Sequence, residues 1–293
     1  MRGRFERPRD FFCTGVRLGF RSFEVNGGAT PTFYDDIHPG EFTIPSLHDP
    51  APGAIGMMDM ARNDIAFTSL DDERREQAVA FAKNSIDVAV RYGARAVILH
   101  SGHVDVDPEL QNTLEQLQAQ GLIASPEADQ IRSRLVAERM FRYDEHMTAL
   151  KRSLDALIPY AGARDVCLGI ETRRRIHQVP NFEEMQWLLA YYQDAAAGYW
   201  HDAGHAEAQA AVGMTPHVDW LRTFGSRLVG IHLHDVIGFH DHQTPGAGSV
   251  DWSGLAPFVP AQGLRTAEID AQTSEEALTA GVEHLAAQGW IYP

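Results

Sequence analysis

The 293-residue chain is poor in cysteine, in positive charge and in long apolar runs. Two cysteines, Cys13 and Cys167, exclude a disulfide framework, and Cys167 lies in an apolar run as an expected buried thiol. Lys and Arg number 25 against 40 Asp and Glu, a formal charge of −15. Such a surface repels phosphate polymers and disfavours nucleic-acid and anionic-membrane partners. The candidate basic strips, Arg2–Arg9 and Arg173–Arg175, are short. No stretch approaches the roughly 18 apolar residues of a membrane span, and the charged start lacks the apolar core of a signal peptide. No suitable lysine or helix start follows Gly246-Ala-Gly248, so these glycines are not a phosphate-binding loop. These absences leave an expected cytoplasmic protein with a small-molecule substrate.

Histidine is abundant by contrast: there are 14, and many fall at the ends of apolar runs. Seven segments show the habit. They are Ser22–Val25 with Glu24 inside it, Thr43–His48, Ala96–His100, Cys167–Glu171, Tyr199–Asp202 with His205 behind it, Val229–His234 and Arg265–Glu268. A buried strand that ends in an imidazole or carboxylate, repeated this often, builds one shared site at the mouth of a parallel barrel. Glu24 suits a brace of the barrel as well as catalysis.

Between these strands the pattern turns helical. Leu70–Tyr92 has apolar residues at helical spacing, acids at its start and Gly93 as a stop. Further helices are expected over Asn181–Tyr192, Thr215–Phe224 and Ser274–Gln288. Asp107–Gly121 and Pro126–Ala161 exceed the need of one crossover, so the first is read as an inserted helix over the barrel mouth. Strands alternating with helices imply parallel pairing, in one domain over residues 1–293. The fold expected is α/β, a TIM-type (β/α)8 barrel with a helical insertion between the strands ending at His100 and Glu171. Seven strands are visible, and Met1–Asp10 is too charged for an eighth, so the first strand is irregular or missing.

The segments Asp202-Ala-Gly-His205, His232-Leu-His-Asp235, and His242 followed by Pro245-Gly-Ala-Gly248 and Val250-Asp251-Trp252 resemble the xylose isomerase-like barrels. That superfamily includes endonuclease IV and the sugar-phosphate isomerase/epimerase-like proteins. The resemblance covers the chain from about Gly19 onward. It implies a divalent metal bound at strand ends, with Glu171, Asp202, His232 and Glu268 matching the four positions of the single-metal epimerase branch. It implies further ligands at His48, His100, His205 and His242, which match the trinuclear zinc site of endonuclease IV. One position departs: where that pattern has Asp two residues before the loop histidine, this chain has His240, with Asp241 adjacent. Members of the superfamily often pair, and an incomplete first strand leaves an edge that a homodimer would cover.

The residue types support this reading on their own. Imidazoles and carboxylates without thiolate suit Zn, Mn or Fe, and with the resemblance the expected cofactor is Zn, Mn, Co or Fe, one to three ions per chain. His240 and His242, two apart, would project to one side of an extended loop. Glu171 or Glu268 could bridge two cations, since a carboxylate has two oxygens. His234 and Asp235 are expected to touch ligands rather than metal, Arg173 to reach an anionic substrate group, and Trp200 and Trp252 to meet substrate near the mouth. His103, His177 and His201 carry no assignment.

Three functions follow. The first is a metal-dependent isomerase or epimerase of a sugar, sugar phosphate or polyol, with Glu171 and Glu268 as the acid/base pair. The alternative is a multinuclear zinc hydrolase of a phosphoester or amide. A metal-binding scaffold without catalysis would need a less complete ligand set.

Overall fold

The computed structural model describes residues 4–27, 32–51, 55–193 and 195–291. The chain opens with α1 (Pro8–Arg17), β1 (Glu24–Val25), α2 (Phe33–Asp36), β2 (Ser46–His48) and α3 (Met57–Arg62). Then come α4 (Asp72–Tyr92), β3 (Ala96–Leu99), α5 (Pro108–Ala119), α6 (Pro126–Gly162) and β4 (Cys167–Glu171). After α7 (Phe182–Tyr191) and β5 (Ala197–Asp202) the chain forms α8 (Ala203–Ala211), α9 (His217–Phe224) and β6 (Leu228–Leu233). A hairpin, β7 (Asp235–Ile237) and β8 (His240–Gln243), leads to α10 (Trp252–Leu255), β9 (Leu264–Ala267) and α11 (Glu275–Ala287).

Seven parallel strands succeed one another in the order β1-β2-β3-β4-β5-β6-β9. This is the TIM-type α/β arrangement expected, with helices in the connections and α5 and α6 as the insertion between β3 and β4. Where an eighth strand would precede β1 the chain forms α1, with Pro8 in its first turn and Phe12 buried. β2 is shorter than expected because Pro45 has no N–H for the ladder, which begins at Ser46. Cys167, at the start of β4, is half-buried rather than buried. No helix among the described residues is long and apolar enough to cross a membrane.

The chain divides into two compact units. The first comprises Met1–Ser101, Thr148–Ile170 and Leu189–Gly198. Here β2 pairs with β3 in the register Leu47↔Val97, and β3 with β4 as Ile98↔Gly169. Asp71 caps α4, its carboxylate accepting from the N–H groups of Glu73 and Arg74, and Gly93 ends the helix at φ 72°. Glu24 Oε2 accepts from Ser46 Oγ at 2.7 Å, a brace between β1 and β2.

The second unit comprises Gly102–Met147, Glu171–Leu188 and Tyr199–Pro293. It holds the β5-β6-β9 ladder, registered as Asp202↔His232 and His232↔Thr266. Helix α5 buries Leu110, Leu114 and Leu117 against Leu135 of α6 and Ile176 of the loop after β4. Asn181 Oδ1 accepts from Glu184 N while Glu184 Oε2 accepts from Asn181 N, both at 2.8 Å, a reciprocal cap that starts α7. The same buried carboxylate takes both terminal guanidinium nitrogens of Arg139, at 2.5 and 2.7 Å.

A buried ion left without its partner is costly. Glu184→Ala should therefore lower unfolding free energy by about 3–5 kcal/mol in urea denaturation. A loss below about 1 kcal/mol, the range of surface pairs, would contradict the structural role assigned to this pair.

Candidate metal centre

Side chains alternate across a strand, so positions two apart share a face. On β5 and β6 the register sets Asp202 beside His232, and Glu268 lies two residues beyond Thr266, the partner of His232 on β9. Glu171 ends β4. The result is a cluster of Glu171, Asp202, His232 and Glu268, with one ligand-type atom from each within 4.8 Å of all the others. His232 Nδ1 is 3.1 Å from Glu171 Oε1, 3.4 Å from Asp202 Oδ2 and 3.0 Å from Glu268 Oε2.

That nitrogen carries at most one proton, yet oxygens of three carboxylates crowd it. Glu171, Asp202 and His232 are fully buried. Three negative charges so placed need positive charge nearby, and the hard oxygens plus one imidazole suit a divalent cation of the Mn, Zn, Co or Fe type. The donor set fits such an ion. Glu268 keeps 26% of its side-chain surface and the adjacent His242 35%, so solvent reaches the cluster from their side.

Each carboxylate is oriented by a neighbour. Asp202 caps α8 through His205 N at 2.7 Å and contacts His234 Nε2 at 2.9 Å. His234 Nδ1 accepts from the His242 backbone N–H at 2.8 Å, which assigns the proton to Nε2, facing Asp202. Both ring nitrogens of His234 are engaged and it braces Asp202, although it lies with His242 and Glu268 in a group of metal-type donors. Gly204 makes room for it: a Cβ there would lie 2.2 Å from His234 Cε1. Burial pushes the Asp202 carboxyl up, but the imidazoles of His205 and His234 beside it and hydrogen bonds from His232 and His234 hold it well below the ordinary carboxylate range. His205 Nδ1–H donates to the Thr172 carbonyl at 2.9 Å, and its Nε2 lies 3.5 Å from Asp241 Oδ2.

The hairpin after β6 was not foreseen. Its signal is two short runs around the two-residue turn Gly238-Phe239, with Gly238 at φ 66°, a conformation glycine takes without strain. The hairpin corrects the reading of the loop histidines. His242 has φ 57°, and this left-handed residue breaks the alternation of an extended strand. His240 is exposed and belongs to none of the metal-type groups among the described residues. Asp241 turns inward beside His242 instead, its Oδ1 3.2 Å from His242 Nδ1. Burial disfavours charge on the His242 imidazole, but bonds to Asp241 and Glu268 push its pKa up to about 11.

The arginine run is paired internally. Arg173, expected to reach an anionic substrate, is buried with Nη1 2.6 Å from Glu171 Oε2. Arg174 Nη1 is 2.9 Å from Asp241 Oδ2, and Arg175 Nε 2.9 Å from Glu115 Oε1 on α5. Asp235 accepts from the N–H groups of Val236, Gly246 and Val250 and from Trp252 Nε1. It therefore shapes the glycine loop rather than orienting an imidazole.

The tryptophans expected at substrate are buried. Trp200 packs its ring 5.1 Å from that of His232, over Gly230, where a Cβ would lie 2.3 Å from the indole. Trp252 lies edge-on to Trp290 with centroids 5.3 Å apart. In the first unit His48 and His100 face each other, Nε2 to Nε2 at 3.1 Å, and His48 Nδ1 donates to the Asp49 carbonyl at 2.9 Å.

Residues 17–288 match the family described as the xylose isomerase-like TIM barrel. The uncharacterized protein y4fM of Sinorhizobium fredii is 26% identical over 202 residues, 68% of this chain. The chain spans about half of that relative's length, 54%. Among solved structures, 3-keto-D-glucoside 4-epimerase YcjR from E. coli superposes with a TM-score of 0.63 at 12% identity, over 98% of this chain and 97% of that one. A D-psicose 3-epimerase from Clostridium cellulolyticum H10, solved with D-tagatose, gives 0.60 at 14% identity, over 97% and 94%. A D-tagatose 3-epimerase-like protein gives 0.60 at 16% identity, over 97% and 93%. At these identities the likeness is one of fold.

Gly204→Ala should displace the His234 ring and cost about 1–3 kcal/mol, the range for overpacking, in chemical denaturation; unchanged stability would contradict the packing described. For His242 the folded pKa lies above the ordinary value of 6.5, so its contribution is complete below that pH and is lost as pH rises through about 11. Denaturation of metal-free protein over this window should show wild-type stability falling relative to His242→Gln. Parallel curves would contradict the assignment.

Proposed function

We propose that this chain, which belongs to the xylose isomerase-like TIM barrel family, is a divalent-metal-dependent epimerase or isomerase of a small sugar. The observation that carries the reading is the convergence of Glu171, Asp202, His232 and Glu268 on one point. The sugar epimerases among its structural relatives support the substrate class.

Glu171, Asp202, His232 and Glu268 would hold the cation, which when bound would polarise a sugar carbonyl and acidify the neighbouring C–H. Asp202 and His232 act as ligands alone. Arg173 holds Glu171 Oε2 and leaves Oε1 toward the cluster. Glu171 and Glu268 then form the acid/base pair, one on each side of the reacting carbon. One carboxylate takes the proton, and the other, protonated, returns one to the opposite face, which inverts that carbon without net oxidation. Desolvation within the buried cluster strengthens these charge interactions. Arg173, Arg174 and Arg175 each face an acid, which favours an unphosphorylated sugar over a phosphate ester.

A second reading, a hydrolase with two or three zinc ions, is favoured by one observation: His205, Asp241 and His242 offer further donors beside the four. Metal content of the purified protein separates the two, one ion per chain for the epimerase and two or three for the hydrolase.

With Mn or Co present, ketoses should exchange a carbon-bound hydrogen with deuterated water, as followed by NMR. Chelation should abolish the exchange, and Glu171→Gln or Glu268→Gln should slow it by about 10²–10⁴-fold. Exchange that persists in either variant, or without metal, would refute the acid/base assignment.

A further inference from the structure

Behind the metal centre, on the opposite face of the same strands, runs a buried chain of five side chains that the chemistry above leaves unused. Thr172 Oγ1 meets Tyr199 OH at 2.7 Å, and Tyr199 OH meets His201 Nδ1 at 2.6 Å. His201 Nε2 meets His217 Nε2 at 3.0 Å, and His217 Nδ1 meets Glu207 Oε2 at 2.9 Å. Tyr199 and His201 are fully buried, Thr172 and His217 buried, and Glu207 retains partial exposure.

One set of protons satisfies every link. Glu207, as carboxylate, accepts from His217 Nδ1–H, so His217 Nε2 carries a lone pair. His201 then donates from Nε2–H, and its bare Nδ1 accepts from the Tyr199 hydroxyl. Tyr199 in turn accepts from the Thr172 hydroxyl. In this set all four donors point the same way, toward Glu207, and each imidazole carries a single proton.

The members neighbour the ligand-bearing positions in sequence. Thr172 follows Glu171, His201 precedes Asp202, and Glu207 lies two residues beyond His205 on α8. Because alternate residues face opposite sides of a strand, a rigid chain behind the sheet fixes the strand ends from which the ligands project. Thr172 adds a second tie, since its carbonyl accepts the His205 Nδ1–H.

We infer that Thr172, Tyr199, His201, His217 and Glu207 form a one-directional hydrogen-bonded brace of positioning residues, which holds Glu171, Asp202 and His205 in register for a divalent cation. The inference rests on the proposed role of Glu171 and Asp202 as ligands.

The test is Mn²⁺ binding to the full chain, by EPR of free Mn²⁺, with nitrogen-15 NMR of the histidines. Thr172→Val and Tyr199→Phe preserve shape and remove one hydroxyl each. Both should weaken Mn²⁺ binding by about 10–100-fold, the range for partners of metal ligands. Thr172→Ser should retain wild-type affinity, a rescue that a merely space-filling role would not predict. The NMR should find His201 protonated at Nε2 and His217 at Nδ1. Wild-type affinity in both hydroxyl-deleted variants, or the reverse tautomers, would overturn the brace alone. Failure of the wild type to bind any divalent cation would instead remove the metal reading, and the brace with it.

Discussion

Three carboxylates crowd a single imidazole nitrogen in a buried place, and much of the second unit can be understood as managing that charge. Arg173 takes one oxygen of Glu171. His234 takes Asp202, and the backbone of His242 fixes which way His234 points. Gly204 and Gly230 lack side chains where the rings of His234 and Trp200 must lie. Repulsion at ordinary protein dielectric would amount to several kcal/mol per pair at these separations. A folded chain keeps such a cluster only with compensating positive charge, and Arg173 beside Glu171 supplies part of it.

The two-residue period of a strand lets one segment serve two purposes. Along β5, Trp200 and Asp202 belong to the face of the carboxylate cluster, while Tyr199 and His201 belong to the polar chain behind it. A slip of one residue would exchange the faces, sending a tyrosine and a neutral histidine toward the carboxylates. The register Asp202↔His232 is thus constrained from both sides of the sheet.

What could be read from residue order was what depends on local rules. Helix α4 announces itself through its acidic start and Gly93, and the strand ends that form the cluster through apolar runs that stop at an acid or histidine. What escaped depends on backbone geometry or on distant partners. Nothing local says that His242 adopts a left-handed conformation, so the choice between His240 and Asp241 was not legible. Three consecutive arginines look alike in the chain. Their destinations, Glu171, Asp241 and Glu115, are fixed by the loop after β4, the hairpin and α5 coming together. His201 and His217 carry no motif, and their role emerges only from a contact across sixteen residues.

The Asp235 carboxylate gathers three backbone amides and an indole from the segment that ends at Trp252. A turn rich in glycine, with its N–H groups converging, is the ordinary means of cradling a phosphate. Here the protein has supplied the anion itself, covalently attached and permanently in place. The turn around Gly246 and Gly248 is consequently pre-shaped in the absence of any guest, and a phosphorylated metabolite arriving there would meet a seat already taken.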